Sequence, residues 1–310
     1  RQRIGRRCRI LRLLRLRHVS ARASKTGRSV PASANTYTPR MHASPILLES
    51  IHLYPVKSMR GVATTCADVA PRGLHGDRRW MLVDAHARFV TARQHPRLLA
   101  WSAELIRDGL VLFAPDGSVR DVGEPPLSAP TIEVGIWKSS SPARVADEAI
   151  NQWLSRQLGI DVRLVHMADD CLRSVSRAWS RPGDLVSFAD GFPLLLIGTA
   201  SLDLLNAKLT RPVSMANFRP NLVVRTATPH VEDNWKRIAI GEVAFDLVKP
   251  CTRCILTTID PDSATPAADG EPLATLKTYR RETLGVTFGQ NLIPRGLGTL
   301  VAGASLRVLE

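Results

Sequence analysis

The segment Gly241–Asp260, GEVAFDLVKPCTRCILTTID, carries two cysteines three positions apart, and what flanks them decides the fold. Both flanks, GEVAFDLVK and ILTTID, are strand-like. A thioredoxin-type pair needs its first cysteine at a helix N-terminus, where the helix dipole favours thiolate. Strands on both sides argue instead for a β-rich fold with the pair at a strand end. A structural zinc site needs four ligands, usually from two such pairs. The other cysteines, Cys8, Cys66 and Cys171, come singly, and no two of the eight histidines form an H-x-x-x-H pair. Packed thiols are the default for buried cysteine, yet Lys249 and Arg253 make this turn electropositive and suit an anionic ligand or a sulfur-preferring metal. At this level a zinc half-site, a redox pair, a single metal ligand and packed thiols all stay open.

Outward from this segment the chain alternates with period two. SIHLYPVKS sets Ile51 and Leu53 against Ser50 and His52 and breaks at Pro55. RRWMLVDAHARFVTARQ reads as a strand, a tight connection at Asp84–Arg88 and a return strand. AELIRDGLVLFAPDG reads as a hairpin turning at Asp108-Gly109. Pro125, Pro126 and Pro130 mark a boundary. Beyond them TIEVGIW, IDVRLVHM, NLVVRT and RIAIGEVAFDLVK are expected strands, and GTLVAGASLRVLE a closing pair. ADEAINQWLSRQLG shifts to helical spacing, with Ile150, Trp153, Leu154 and Leu158 on one face and Gly159 placed to end it. GTASLDLLNAKL is a short helix that Thr199 or Ser201 can cap, and PLATLKTYRRE a third. Strands outnumber helices and no βαβ alternation is apparent in the pattern. The expected fold is α+β and mainly β, antiparallel and barrel-like, with regions at 45–128 and 129–310 after a disordered basic leader at 1–44.

The formal charge of +14 suggests a nucleic-acid binder until it is located. Residues 1–40 hold eleven Arg and one Lys without Asp or Glu, which leaves the remaining 270 residues at about +2. With 5% aromatics there is no basic face interleaved with stacking rings, so no nucleic-acid partner is expected. The leader has transit-peptide composition, and Met41 stands just before the first strand-like segment, so translation starting there is the competing expectation. Localisation is accordingly expected to be cytoplasmic, or mitochondrial if the leader is genuine. No apolar run approaches the ~18 residues that span a bilayer. The odd, scattered cysteines fit a reducing compartment. G-x-G-x-x-G, the phosphate-binding loop, G-x-S-x-G and H-E-x-x-H are all missing from the sequence.

Three further places repeat the electropositive theme, each with Pro or Gly beside a cation at a strand end: YPVKS with Lys57 and Ser58, GDRRW with Arg78, and NFRPN with Arg219 and Asn221. Backbone N–H groups and guanidinium forks could converge there on a phosphate.

With YPVKSMRG, GDRRWMLVD, FVTARQHPRL, SFADGFPLLLIGTASLDLLN, NFRPNLVV, CTRCILTTIDPD, LKTYRR and FGQN in this order, the chain from about residue 45 resembles the MOSC family, named for the molybdenum cofactor sulfurase C-terminal domain. The likeness is to the branch with an N-terminal MOSC β-barrel region, which includes amidoxime-reducing components and their bacterial counterparts. The resemblance implies a molybdenum–molybdopterin enzyme that reduces N-hydroxylated small molecules. It implies Cys254 as catalytic residue and molybdenum ligand, and cofactor contacts at Lys57, Ser58, Arg78, Gly191, Phe192, Arg219, Asn221, Thr252, Arg253 and Asn291, the last standing where animal members carry Tyr. It also brings the family-level term pyridoxal phosphate binding. Because the sequence stops at Glu310, electrons are expected from a separate flavin, ferredoxin or haem protein. The alternative it allows is a carrier of the cofactor or of sulfur.

Overall fold

The computed structural model describes residues 45–310; the Arg-rich leader, and with it the transit-peptide and disorder readings, lies outside the described residues. In chain order the first strands are β1 (Leu47–Leu53), β2 (Val62–Thr64), β3 (Cys66–Ala70), β4 (Gly73–Leu74), β5 (Trp80–Val83), β6 (Ser102–Ile106), β7 (Gly109–Phe113) and β8 (Val119–Gly123). There follow β9 (Thr131–Ile136), β10 (Ser139–Val145), β11 (Arg163–His166), β12 (Leu194–Gly198) and β13 (Leu222–Arg225). The last are β14 (Arg237–Ile240), β15 (Val243–Thr252), β16 (Arg281–Glu282), β17 (Gly285–Pro294), β18 (Gly298–Val301) and β19 (Leu306–Val308). The α-helices among the described residues are α1 (Glu148–Leu158), α2 (Thr199–Asn206) and α3 (Leu273–Tyr279).

The fold is mainly β, as expected. The largest sheet runs β19-β14-β15-β17-β12-β13-β1-β2, with β16 attached to β17. A second sheet runs β5-β11-β10-β9, so strands from either side of residue 128 pair with one another. Two three-stranded sheets, β18-β3-β4 and β6-β7-β8, complete the set. The core under the large sheet gathers Leu48, Ile51, Leu196, Leu222, Ile240, Phe245 and Leu292. A separate core packs Trp80, Trp101, Leu110 and Leu112 against Trp153, Leu154 and Leu158 of α1. That helix starts at Asp147, which accepts a hydrogen bond from the Ala149 N–H, and ends at Gly159 in the left-handed conformation.

Several local expectations give way to tertiary context. β12, α2 and β13 form a βαβ unit with parallel strands, which the strand-rich pattern conceals. Neither Thr199 nor Ser201 caps α2. Its first N–H groups are met from outside, Gly198 N–H by Glu232 and Ala200 N–H by the Thr226 hydroxyl. The return strand after β5 shrinks to a bridge between Val83 and Phe89, because the chain turns at Thr91, whose carbonyl accepts from Gln94 and His95. Ile106 pairs with Gly109, so the β6–β7 turn is Arg107-Asp108; Gly109 is needed because a Cβ there would lie 2.0 Å from the Val122 carbonyl oxygen. ILTTID is a 3-10 turn rather than a strand, held by Thr257 and Thr258 hydroxyls donating to the carbonyls of Cys254 and Ile255. The C-terminal strands are not a pair: β18 joins β3, and β19 joins β14.

Candidate functional site

The ends of several strands open into one cleft, and all eleven residues singled out above line it. Thr252 ends β15 and Arg253 and Cys254 follow it; the strand's register against β17 slips at Leu247/Lys249 and again at Pro250/Thr252. Such bulges bend a strand and redirect its side chains. Asn291 comes from β17 alongside and donates to the Pro250 carbonyl at 3.5 Å. Lys57 and Ser58 follow β1, Arg78 precedes β5, Gly191 and Phe192 precede β12, and Arg219 and Asn221 precede β13. Ser58, Arg78 and Arg219 take left-handed backbone angles, with φ of 72°, 48° and 55°. Non-glycine residues rarely hold this conformation, which costs on the order of 1 kcal/mol or more each. Three of them converge on one cleft.

The cations differ in how they are engaged. Arg78 is locked: it donates to Asp77, to Asn221 Oδ1 at 2.8 Å and to the Arg219 carbonyl at 3.3 Å. Burial pushes the Asp77 carboxyl up against the opposing pull of Arg78. The Tyr54 ring is sandwiched, with the Arg78 and Arg219 guanidiniums 4.2 and 4.3 Å from its centroid. Gly61 makes room for that ring, since a Cβ there would sit 2.3 Å from Tyr54 Cε1. Burial raises the Tyr54 hydroxyl to about 12 despite both arginines. Lys57 donates to the Phe188 carbonyl at 2.8 Å and to Asp190. Desolvation alone would raise Asp190, but Lys57 and Arg93 hold it well below the usual carboxylate range. Arg219 is different: among the described residues its guanidinium has no hydrogen-bond acceptor and no carboxylate within ion-pair distance, and burial pushes it down to about 10.

The two sulfurs are not equivalent. Cys251 is half-buried and its Sγ accepts from Arg253 Nη1 at 2.9 Å, while Arg253 Nη2 donates to the Phe218 carbonyl at 2.7 Å. Cys254 is exposed in the cleft, with Arg93 Nη1 3.8 Å from its Sγ. Among the described residues no three His, Cys, Asp or Glu side chains gather as a metal site. Sequence reasoning passed over Thr91, Arg93, Asp190 and Asn217, which also line the cleft. Arg93 was hidden by reading FVTARQ as a strand, whereas Asp190 adjoins Gly191 and Phe192 and carried a usable signal. Asn217 braces the 3-10 turn from below, donating to the carbonyls of Thr257 and Ile259.

Comparison with known proteins gives this geometry a lineage. Residues 46–161 match the MOSC N-terminal beta barrel domain, and residues 184–308 match the MOSC domain. Mitochondrial amidoxime-reducing component 1 of Mus musculus is 36% identical, over 74% of this chain and 69% of its own length. The Homo sapiens protein of the same name is 34% identical over 83% of this chain and 81% of its own. Molybdenum cofactor sulfurase of Oryza sativa subsp. japonica is 30% identical over 86% of this chain but 35% of its own. Two domain matches in order, and relatives of this similarity along most of their length, show that the chain belongs to the MOSC family, in its form with an N-terminal β-barrel domain.

Proposed function

We propose that this protein is a molybdenum-cofactor-dependent reductase of N-hydroxylated compounds. The observation that carries the reading is the juxtaposition, in one cleft, of an exposed Cys254 with the Arg219 cation, which finds no hydrogen-bond acceptor among the described residues. The residues present fit an anionic cofactor that brings most of its own metal ligands. Among the described residues, Thr91 Oγ1 and Arg253 Nε are buried without a partner and Arg219 lacks an acceptor. Cys254 is the one cleft thiol not already taken up by a neighbouring arginine at short range. Arg219, Ser58 and Thr252 would hold the phosphate and pterin, with Asn221 behind them in the buried network, and Cys254 would hold the metal. When bound, the cofactor supplies the two-electron chemistry that removes oxygen from an N–O bond.

The chain's own residues position and protect. Arg253 engages the half-buried Cys251 Sγ at 2.9 Å, which leaves the more exposed Cys254 as the thiol of the two free to bind a metal. The buried Asp77–Arg78–Asn221 network fixes the backbone that presents Arg219. Reduction of N–OH to N–H consumes two electrons and two protons and releases water. We assign the electrons to a separate redox protein.

The test is metal analysis and turnover of a hydroxylamine-type substrate with a chemical electron donor, in wild type, Cys254→Ser and Cys251→Ala. Loss of molybdenum and activity in Cys254→Ser with a much milder effect of Cys251→Ala is expected. Equal losses from both variants would overturn the assignment of Cys254. A carrier role is the second reading, favoured by the sulfurase relative. It requires cofactor release to an apo-acceptor and no turnover with any donor.

A further inference from the structure

Trp137 is the most anomalous surface residue near the cleft. It occupies, with Lys138, the two-residue turn between β9 and β10, where Ile136 pairs with Ser139. Its φ is 55°, a conformation such turns ordinarily fill with Asn, Asp or Gly. It is also 55% exposed. A large aromatic held in a left-handed turn and left in solvent is costly on two counts, and strain of this kind persists where the surroundings enforce it.

The surroundings do enforce it. The indole N–H donates to Asp190 Oδ1 at 3.2 Å. The Arg93 guanidinium lies 4.3 Å from the indole ring centroid, and Phe89 meets the indole edge-on at 5.1 Å. The turn itself is pinned by the buried Arg173, whose Nε donates to the Ser139 hydroxyl at 3.2 Å. Arg173 also donates to the carbonyls of Ser187, Ala189 and Asp190, so one side chain ties the turn to the cleft wall. Arg93 in turn reaches Cys254 Sγ at 3.8 Å. One unbroken path of contacts therefore runs from the reacting position, through Arg93, to an exposed aromatic surface.

We infer that Trp137, backed by Arg93, is a specificity-determining platform at the mouth of the cleft, which favours N–O ligands whose N-hydroxy group is conjugated to a flat ring. This rests on reading the cleft as the site of N–O reduction. The Arg93 guanidinium covers part of the indole, so a flat ligand stacked on the exposed remainder would place its N–O group beside a donor suited to an oxygen acceptor. An aliphatic ligand with the same head group gains only the second contact.

The experiment compares benzamidoxime with acetamidoxime, which share the amidoxime and differ in the ring. Calorimetric affinity for the oxidised holoenzyme, with no electron donor present, is measured alongside KM and kcat in wild type, Trp137→Phe and Trp137→Ala. Aromatic pairing of this kind is worth between about 2- and 12-fold in affinity. Trp137→Ala is expected to reduce the benzamidoxime-to-acetamidoxime affinity ratio by that factor, chiefly through KM, and Trp137→Phe to restore most of it. An unchanged ratio in Trp137→Ala, or wild-type protein that binds neither amidoxime, overturns the platform. Trp137-dependent binding without any turnover keeps the platform and removes the reductase reading, so the two fail separately.

Discussion

Replacing Arg219 with Met is expected to make the protein free of metal and cofactor more stable while disabling its anion site. Arg219 is charged at pH 7 in both folded and unfolded chains, and burial pushes its folded value from 12.5 down to about 10. A basic group depressed in this way costs stability at all pH below about 10, and the cost is relieved only as pH rises from there toward 12.5. The depression corresponds to about 3 kcal/mol as an upper bound. Met forfeits the stacking on Tyr54, worth about 1–2 kcal/mol in a partly desolvated setting. The net gain is about 1–2 kcal/mol, or a melting temperature about 2–8 °C higher for a domain of this size. Met leaves the left-handed backbone strain in place, so the comparison isolates the charge. Differential scanning calorimetry of the cofactor-free protein measures the gain, and titration with inorganic phosphate then stabilises wild type but not the variant. A variant that melts several degrees lower, or that phosphate stabilises as much as wild type, would refute the claim that Arg219 is held unpartnered for an anion.

Asp77→Asn should act in the opposite direction. It removes the carboxylate facing Arg78 within a buried network, and breaking a buried pair costs about 3–5 kcal/mol; chemical denaturation should show that loss together with weakened anion binding. Glu232 is fully buried, and burial raises its carboxyl above the ordinary 4.5. The folded state therefore binds this proton more tightly than the unfolded chain, and stability contributed by protonated Glu232 is lost as pH rises above 4.5 through the raised value. Glu232→Gln keeps an acceptor for the Gly198 N–H and the Ser201 hydroxyl. Its urea midpoint should stay flat over the pH range in which the wild-type midpoint declines, and parallel curves would count against the assignment.

Period-two patterning carried the main strands because most of them bury one face or both, and a face of a pleated strand is written in alternate residues. It carried α1 for the corresponding helical reason, with Asp147 and Gly159 marking its ends. The misreadings share one cause. ILTTID has the composition of a strand, yet its threonines bond back to Cys254 and Ile255 and Asn217 takes its outer carbonyls. FVTARQ likewise curls at Thr91 and releases Arg93 into the cleft. Strand propensity is outweighed there by short-range hydrogen bonds that curl the chain, and in ILTTID by Asn217 bonding in from elsewhere in the fold.

For the site, the sequence by itself determined the membership: which residue types stand at the strand ends, that Cys254 is the second of a pair in an electropositive turn, and that eight motifs follow in family order. Only the tertiary structure decided how those residues are employed. A charged residue is the same letter whether paired or bare, but folding gives Lys57 to Asp190, Arg78 to Asp77 and Arg253 to Cys251, and leaves Arg219 without an acceptor among the described residues. The asymmetry of the two thiols arises in the same way. Neighbours in sequence make them look alike, and neighbours in space, Arg253 at 2.9 Å from one and Arg93 at 3.8 Å from the other, set them apart.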